Sequence, residues 1–230
     1  MSKPGPIFII GSGPLIGSHV ARLFATKSFS KVALVARSTA NLSQNASFIK
    51  SAASSATVKT YTADVTDSPS LTAALNSAVA DLGAPEIVIY NAARIKYGSI
   101  GEYSTEDIIT DFKIPNLGLY NTVQVLLPGL QKLAKENPEA HPSLFVTSGQ
   151  IVYEPLPPVF SLSMAKAAQA SLVKLLAAEN KDMVHVALVT IGGPVSEDEK
   201  ENNPNAIAET FWKLYSQERG AWEGEAKHGW

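Results

Sequence analysis

"IFIIGSGPLIGSHVARLF", residues 7–24, is the stretch whose reading decides the fold. Four apolar residues, Ile7 to Ile10, run into a cluster of glycines, and a helical pattern follows. Strand, glycine turn and helix in that order open a βαβ unit. Gly11 permits a tight turn off the strand, Gly13 lets backbone approach a pyrophosphate, and Gly17 lets the helix pack closely on the sheet. Ser12, Leu15 and Ile16 complete the loop. Backbone N–H groups at the start of the helix face the phosphates in such an arrangement. An ordinary glycine turn between strand and helix is the plainer alternative.

Beyond this unit the alternation continues. Strands are predicted at 7–10, 31–36, 57–61, 86–90, 143–147 and 185–191, and helices at about 15–26, 40–54, 68–82, 104–135, 160–180 and 204–217. The strand segments are nearly all apolar, as expected of strands covered on both faces by helices. Regular βαβ alternation predicts a doubly wound parallel sheet with ligands at the carboxyl ends of its strands. The Ser/Ala-rich "SQNASFIKSAASSA" reads as a surface helix and its loop, and a short last strand is predicted from Trp222 onward. No shift in composition divides the chain, so residues 1–230 are read as one domain.

The composition narrows the classes of function. With 45% hydrophobic and 17% charged residues, the chain has enough apolar material for a large core. A net charge of −2 gives no basic excess for a phosphate backbone, so no nucleic-acid partner is expected. Cysteine is absent, which removes disulfides, thiolate catalysis and cysteine-ligated zinc. The four histidines are scattered without metal-site spacing, so no metal is expected. No apolar run is expected to approach the length of a membrane span, and no signal peptide is read at the N-terminus. No membrane association and a cytoplasmic location are the resulting expectations.

The chain resembles the short-chain dehydrogenase/reductase family over essentially its whole length. Its glycine loop is similar to the family's G-x-x-x-G-x-G, with Leu15 in place of the middle glycine. "TADVTD" carries Asp64 and Val65 where the family holds the adenine ring. "IYNAARI" carries Asn91, Ala92 and Ala93 where the family has N-N-A-G, with Tyr90 for the first asparagine. "IGGPVS" matches P-G-x-V-x-T at Gly193 and Val195, a backbone that the family uses to hold the nicotinamide amide; Gly192 replaces the proline. The resemblance implies a single-domain, Rossmann-like α/β fold with helices on both faces of the sheet. It also implies a nicotinamide cofactor and a small-molecule substrate. The family often forms dimers through neighbouring helices, so a homodimer is a further expectation. The second strand ends at Ala36, with no carboxylate for the ribose hydroxyls, and Arg37 and Ser38 follow. A guanidinium pairs well with a ribose 2′-phosphate, so NADP(H) is the expected cofactor.

The catalytic pattern is incomplete. In the family a tyrosine gives a proton, a lysine four residues later lowers its pKa and binds the nicotinamide ribose, a serine orients the substrate, and an asparagine holds a relay water. Here Lys166 fits the lysine, and Leu162 stands at the tyrosine's place. Ser148 is the candidate serine, although ungapped spacing falls on Gly149. Pro115 falls at the asparagine's place, with Asn116 one step on. Tyr153 is a candidate substitute donor; Tyr97, Lys96, Arg94 and solvent water remain alternatives. Two readings stand: an atypical NADP(H)-dependent oxidoreductase acting on a small organic carbonyl or imine, or an NADP(H)-binding sensor, scaffold, cyclase or isomerase without redox activity.

Overall fold

The structure is a computed structural model, and it describes residues 4–230. Seven strands form one sheet in the order β3-β2-β1-β4-β5-β6-β7. They are β1 (Ile7–Ile10), β2 (Lys31–Ala36), β3 (Thr57–Thr62), β4 (Ile87–Tyr90), β5 (Ser143–Gly149), β6 (His185–Ile191) and β7 (Glu225–His228). Every pairing is parallel. The helices are α1 (Ile16–Lys27), α2 (Thr39–Ala52), α3 (Ser68–Leu82), α4 (Thr105–Phe112), α5 (Gly118–Glu136), α6 (Phe160–Asn180) and α7 (Pro204–Tyr215). The result is a single Rossmann-like α/β domain.

Alternate residues of the central strands feed two cores, because successive side chains of a strand point to opposite faces. Ile7 and Ile9 of β1, with Val32, Leu34, Ile87 and Ile89, pack under α1, α2 and α7. Phe8 and Ile10, with Val35, Val88, Leu144 and Val186, pack under α3, α5 and α6. Central strands sandwiched in this way must be apolar on both sides, which is why their sequences show no alternation. β3 departs from that expectation. It is an edge strand, and none of its six residues is buried.

Residues 104–135 were expected to form one helix. Instead α4 ends at Phe112, a π-helical turn covers Lys113–Leu117, and α5 begins at Gly118. Pro115 lies inside the turn and has no N–H to donate, so the regular ladder cannot run through it. Three side chains satisfy the widened turn. Tyr90 donates its hydroxyl to the Ile114 carbonyl, Gln169 donates to the Pro115 carbonyl, and Asn116 donates to the Phe112 and Ala165 carbonyls. Gly118 is required beside it, since any side chain there would run into the Tyr90 hydroxyl and the Val65 side chain.

Two smaller expectations are corrected. The helix containing Asn45 is not wholly a surface helix: Asn45 is buried and bonds back to the glycine loop. One helix among the described residues, Pro157–Asn180, is long and apolar enough to cross a membrane by length and composition. Over half of its most apolar 18-residue window is buried, because it carries α6 against the sheet.

Candidate active site

The strands end on one rim, and the turn from β1 to α1 forms its centre. Gly11 has φ +87°, and a Cβ there would lie 2.5 Å from the backbone nitrogen of Ala92. The crossing of the β1 and β4 ends therefore excludes any side chain at Gly11. Asn91 locks this crossing by donating its side-chain amide to the Gly11 carbonyl at 2.9 Å and its backbone N–H to Ile10 at 2.7 Å. Asn45 of α2 holds the other side of the loop, donating to the Ser12 carbonyl and hydroxyl at 3.0 and 3.1 Å. Gly17 packs against the Ser12 backbone, while the space above Gly13 is open. Leu15 caps α1 with no side-chain bond, and the first turn, from Ile16, carries no acidic residue. An open, uncapped helix start with a supported glycine loop suits an anionic group.

Arg37 and Ser38 follow β2. Ser38 caps α2 by accepting from the Asn41 N–H at 3.2 Å, which leaves its hydroxyl hydrogen available. Arg37 is exposed, 3.9 Å from Asp64, an ion pair too open and loose to hold the guanidinium firmly. Asp64 itself accepts from the backbone and hydroxyl of Thr66, and Val65 is buried against Gly118. Ala92 and Ala93 continue from Asn91 along the rim. Beyond β6, Gly193 and Val195 start an irregular segment that reaches α7. Gly192 donates to the His228 carbonyl at 2.8 Å, a bond a proline could not make, and any side chain at this position would run into the Gly229 backbone.

Ser148 lies near the end of β5 and Lys166 in the second turn of α6. Both are buried. The Lys166 ammonium donates to the Thr147 carbonyl at 2.7 Å and to Gln169 Oε1 at 2.8 Å, leaving one N–H. Burial pushes its pKa down to about 8. It is therefore not a helix-surface lysine. The hydroxyls of Thr147, Ser148 and Ser161 are buried without a hydrogen-bond partner, an arrangement that costs free energy unless a ligand or water completes it. Leu162, one turn before Lys166, is buried and apolar.

Tyr153 is drawn away from this cluster. Its hydroxyl donates to Glu225 of β7 at 2.5 Å, and its ring packs against Trp230 and the Lys227 ammonium. The bond to the Glu225 carboxylate, helped by partial burial, pushes its pKa up to about 12. The Tyr153 phenol is thus a weaker acid than usual, and its hydrogen is engaged by Glu225. Arg94 and Lys96 are likewise tied, Arg94 to Asp111 at 2.7 Å and Lys96 to Asp107 at 2.6 Å. Tyr97 is three-quarters exposed on the surface of the loop after β4.

The family model described as short chain dehydrogenase matches residues 6–206. The chain belongs to the short-chain dehydrogenase family. It is thereby of the NAD(P)-dependent oxidoreductase type. A comparison with curated proteins finds no match in sequence. Solved structures match throughout at low identity. An alcohol dehydrogenase from the archaeon Thermococcus sibiricus, complexed with 5-hydroxy-NADP, is 21% identical with a TM-score of 0.85, covering 97% of this chain and 95% of that one. An NADPH-bound short-chain oxidoreductase from Pseudomonas aeruginosa, described as containing an atypical catalytic center, is 18% identical with a TM-score of 0.85, covering 97% and 94%. An NADH-dependent reductase complexed with NAD is 16% identical with a TM-score of 0.84, covering 99% and 96%.

Several residues that build this site were not singled out in the sequence. Gln169 follows Lys166 by three positions, a spacing that makes neighbours on a helix and was legible in principle. Asn45 and Glu225 act across 33 and 72 positions of sequence, on Ser12 and Tyr153, and no local pattern announces them.

Proposed function

We propose that the protein is an NADP(H)-dependent oxidoreductase with a non-standard active site, acting on a small organic carbonyl or imine. The observation that carries this reading is the buried polar cluster of Lys166 and Ser148 at the rim of the sheet that also holds the glycine loop. An ammonium with one N–H left and a hydroxyl without a partner suit the oxygens of a ribose and a substrate. A bound NADPH supplies the hydride. The glycine loop and the start of α1 take its pyrophosphate, with Ser12, Gly13, Leu15, Ile16 and Gly17 as the lining. Arg37 and Ser38 take the 2′-phosphate, Asp64 and Val65 border the adenine, Asn91 to Ala93 line the ribose side, and Gly193 and Val195 the nicotinamide side. Ser148 orients the substrate oxygen. Leu162 has no proton to give, and Tyr153 holds its own against Glu225, so water supplies the proton.

A second reading has its own support. Leu162 beside Lys166 and the diverted Tyr153 together suit a cofactor-binding protein without redox activity. The two readings separate in one assay: loss of NADPH absorbance across aldehydes, ketones and imines, run beside NADPH and NADH titrations. Tight NADPH binding without turnover of any substrate selects the second reading. Arg37→Ala should weaken NADPH binding by about 1–3 kcal/mol and spare NADH. Equal affinity of the unmutated protein for the two cofactors would refute the NADP(H) preference. A homodimer in the cytoplasm remains part of the proposal; exposed Phe112, Leu117, Tyr120 and Leu175 border a groove between α4, α5 and α6 that suits a second copy. Sedimentation of the purified protein tests it, and a monomer at micromolar concentration rejects it.

A further inference from the structure

We infer that Gln169 is a positioning residue for Lys166: its side-chain amide ties the buried ammonium to the Pro115 carbonyl of the π-helical turn and so fixes where the remaining N–H points. Gln169 is fully buried. Its Oε1 accepts from Lys166 at 2.8 Å and its Nε2 donates to the Pro115 carbonyl at 2.8 Å. These partners set the amide's orientation, because the reverse one would face NH2 toward an ammonium and oxygen toward a carbonyl.

A buried glutamine is costly unless both of its ends are bonded. Here both ends are bonded, and each bond reaches a different part of the site. The Pro115 carbonyl is an acceptor presented by the widened turn, and Asn116 of the same turn donates to the Ala165 carbonyl next to Lys166 in sequence. The turn and α6 are therefore joined at Ala165 and at Gln169, on either side of Lys166. The second Lys166 bond, to the Thr147 carbonyl, anchors the ammonium to β5. Two acceptors on different elements leave a tetrahedral ammonium a single free direction. The groups bonded to Lys166 are uncharged, and they work against the burial that lowers its pKa. Removing the amide oxygen thus removes one of the two dipoles that stabilise the charged form.

The inference rests on the reading of Lys166 as a cofactor-contacting residue, and two separate readouts keep the two apart. The first is the titration of the Lys166 side chain by NMR of lysine-labelled protein without cofactor, assigned by its loss in Lys166→Ala. Gln169→Leu should move the midpoint down, and the isosteric Gln169→Glu should move it up by placing a carboxylate against the ammonium. The second is NADPH affinity by fluorescence titration. Gln169→Leu should weaken it roughly tenfold, the loss of about one charge-assisted hydrogen bond, while Gln169→Glu retains most of it. If Gln169→Leu does not fold, the shift in Gln169→Glu decides the matter alone. An unmoved Lys166 midpoint in Gln169→Glu overturns the inference. A moved midpoint with Lys166→Ala binding NADPH normally leaves Gln169 as the positioner and rejects the cofactor role of Lys166 instead.

Discussion

The two halves of the rim are built from different materials. On the side of β1, β2 and β4 the site is mostly backbone: a glycine turn, an uncapped helix start, and the crossing of two strand ends. On the side of β5, β6 and α6 it is side chains: Lys166 between Thr147 and Gln169, an unpartnered Ser148, and a tyrosine turned toward Glu225. Backbone sites survive changes of side chain as long as the few positions that must lack a Cβ keep lacking it. Leu15 stands where the family has a glycine, yet the turn still forms, supported by Asn45 and Asn91. Side-chain sites have no such tolerance. In the proposed reading Leu162 takes the place of a phenol, and nothing in the neighbouring backbone supplies a proton in its stead.

The largest expected effect tests the backbone half. Gly11→Ala adds a Cβ at φ +87°, 2.5 Å from the Ala92 nitrogen, where neither partner is a flexible side chain. Left-handed strain and overpacking together should cost roughly 2–5 kcal/mol in unfolding free energy. Denaturant unfolding measures it. A midpoint equal to that of the unmutated protein contradicts the strand crossing.

The next effect belongs to the side-chain half. Lys166 titrates at about 8 when folded against an ordinary 10.5, so the unfolded chain binds the proton more tightly. Between those values the unfolded state carries more protons, and stability therefore rises with pH. Below pH 8 the buried charge costs the full amount, about 3 kcal/mol, and above 10.5 the cost is gone. Lys166→Met removes the titration. The difference in unfolding free energy between the two proteins should change by about 3 kcal/mol from pH 7 to pH 10.5. A pH-independent difference would mean that the ammonium is solvated.

How much of this was legible follows the same division. The parallel sheet, its strand positions and the glycine turn at its rim were readable from "IFIIGSG", "LVARS" and "IYNAA", because glycines and apolar runs report backbone geometry directly. The break at 113–117 was not read, although Pro115 stood in the middle of the expected helix. Its cause is tertiary: the Tyr90 hydroxyl from β4 and the Gln169 amide from α6 supply the bonds that make the widened turn affordable in that place. The fate of Tyr153 was equally hidden, since it depends on Glu225 in the last strand.

The smallest of the structural effects sharpens that point. Gly118→Ala should destabilise by about 1–3 kcal/mol, because the new Cβ meets Tyr90 and Val65. In a Tyr90→Phe background the hydroxyl is gone, and the same substitution should cost less. A double-mutant cycle reads the coupling. Costs that simply add would show that Gly118 does not exist to accommodate the phenol.

The central proposal is that a complete cofactor half stands beside a proton route that is missing at Leu162. Its most direct test is the steady-state rate of carbonyl reduction at saturating NADPH in Leu162→Tyr, compared with the unmutated protein. General acid catalysis contributes about 10²–10⁴-fold, or roughly 3–5 kcal/mol of barrier. The account predicts slow reduction by the unmutated protein and a rise in rate when a phenol is placed one turn before Lys166. Rapid ketone reduction by the unmutated protein, unchanged by Leu162→Tyr and by Tyr153→Phe, would contradict it.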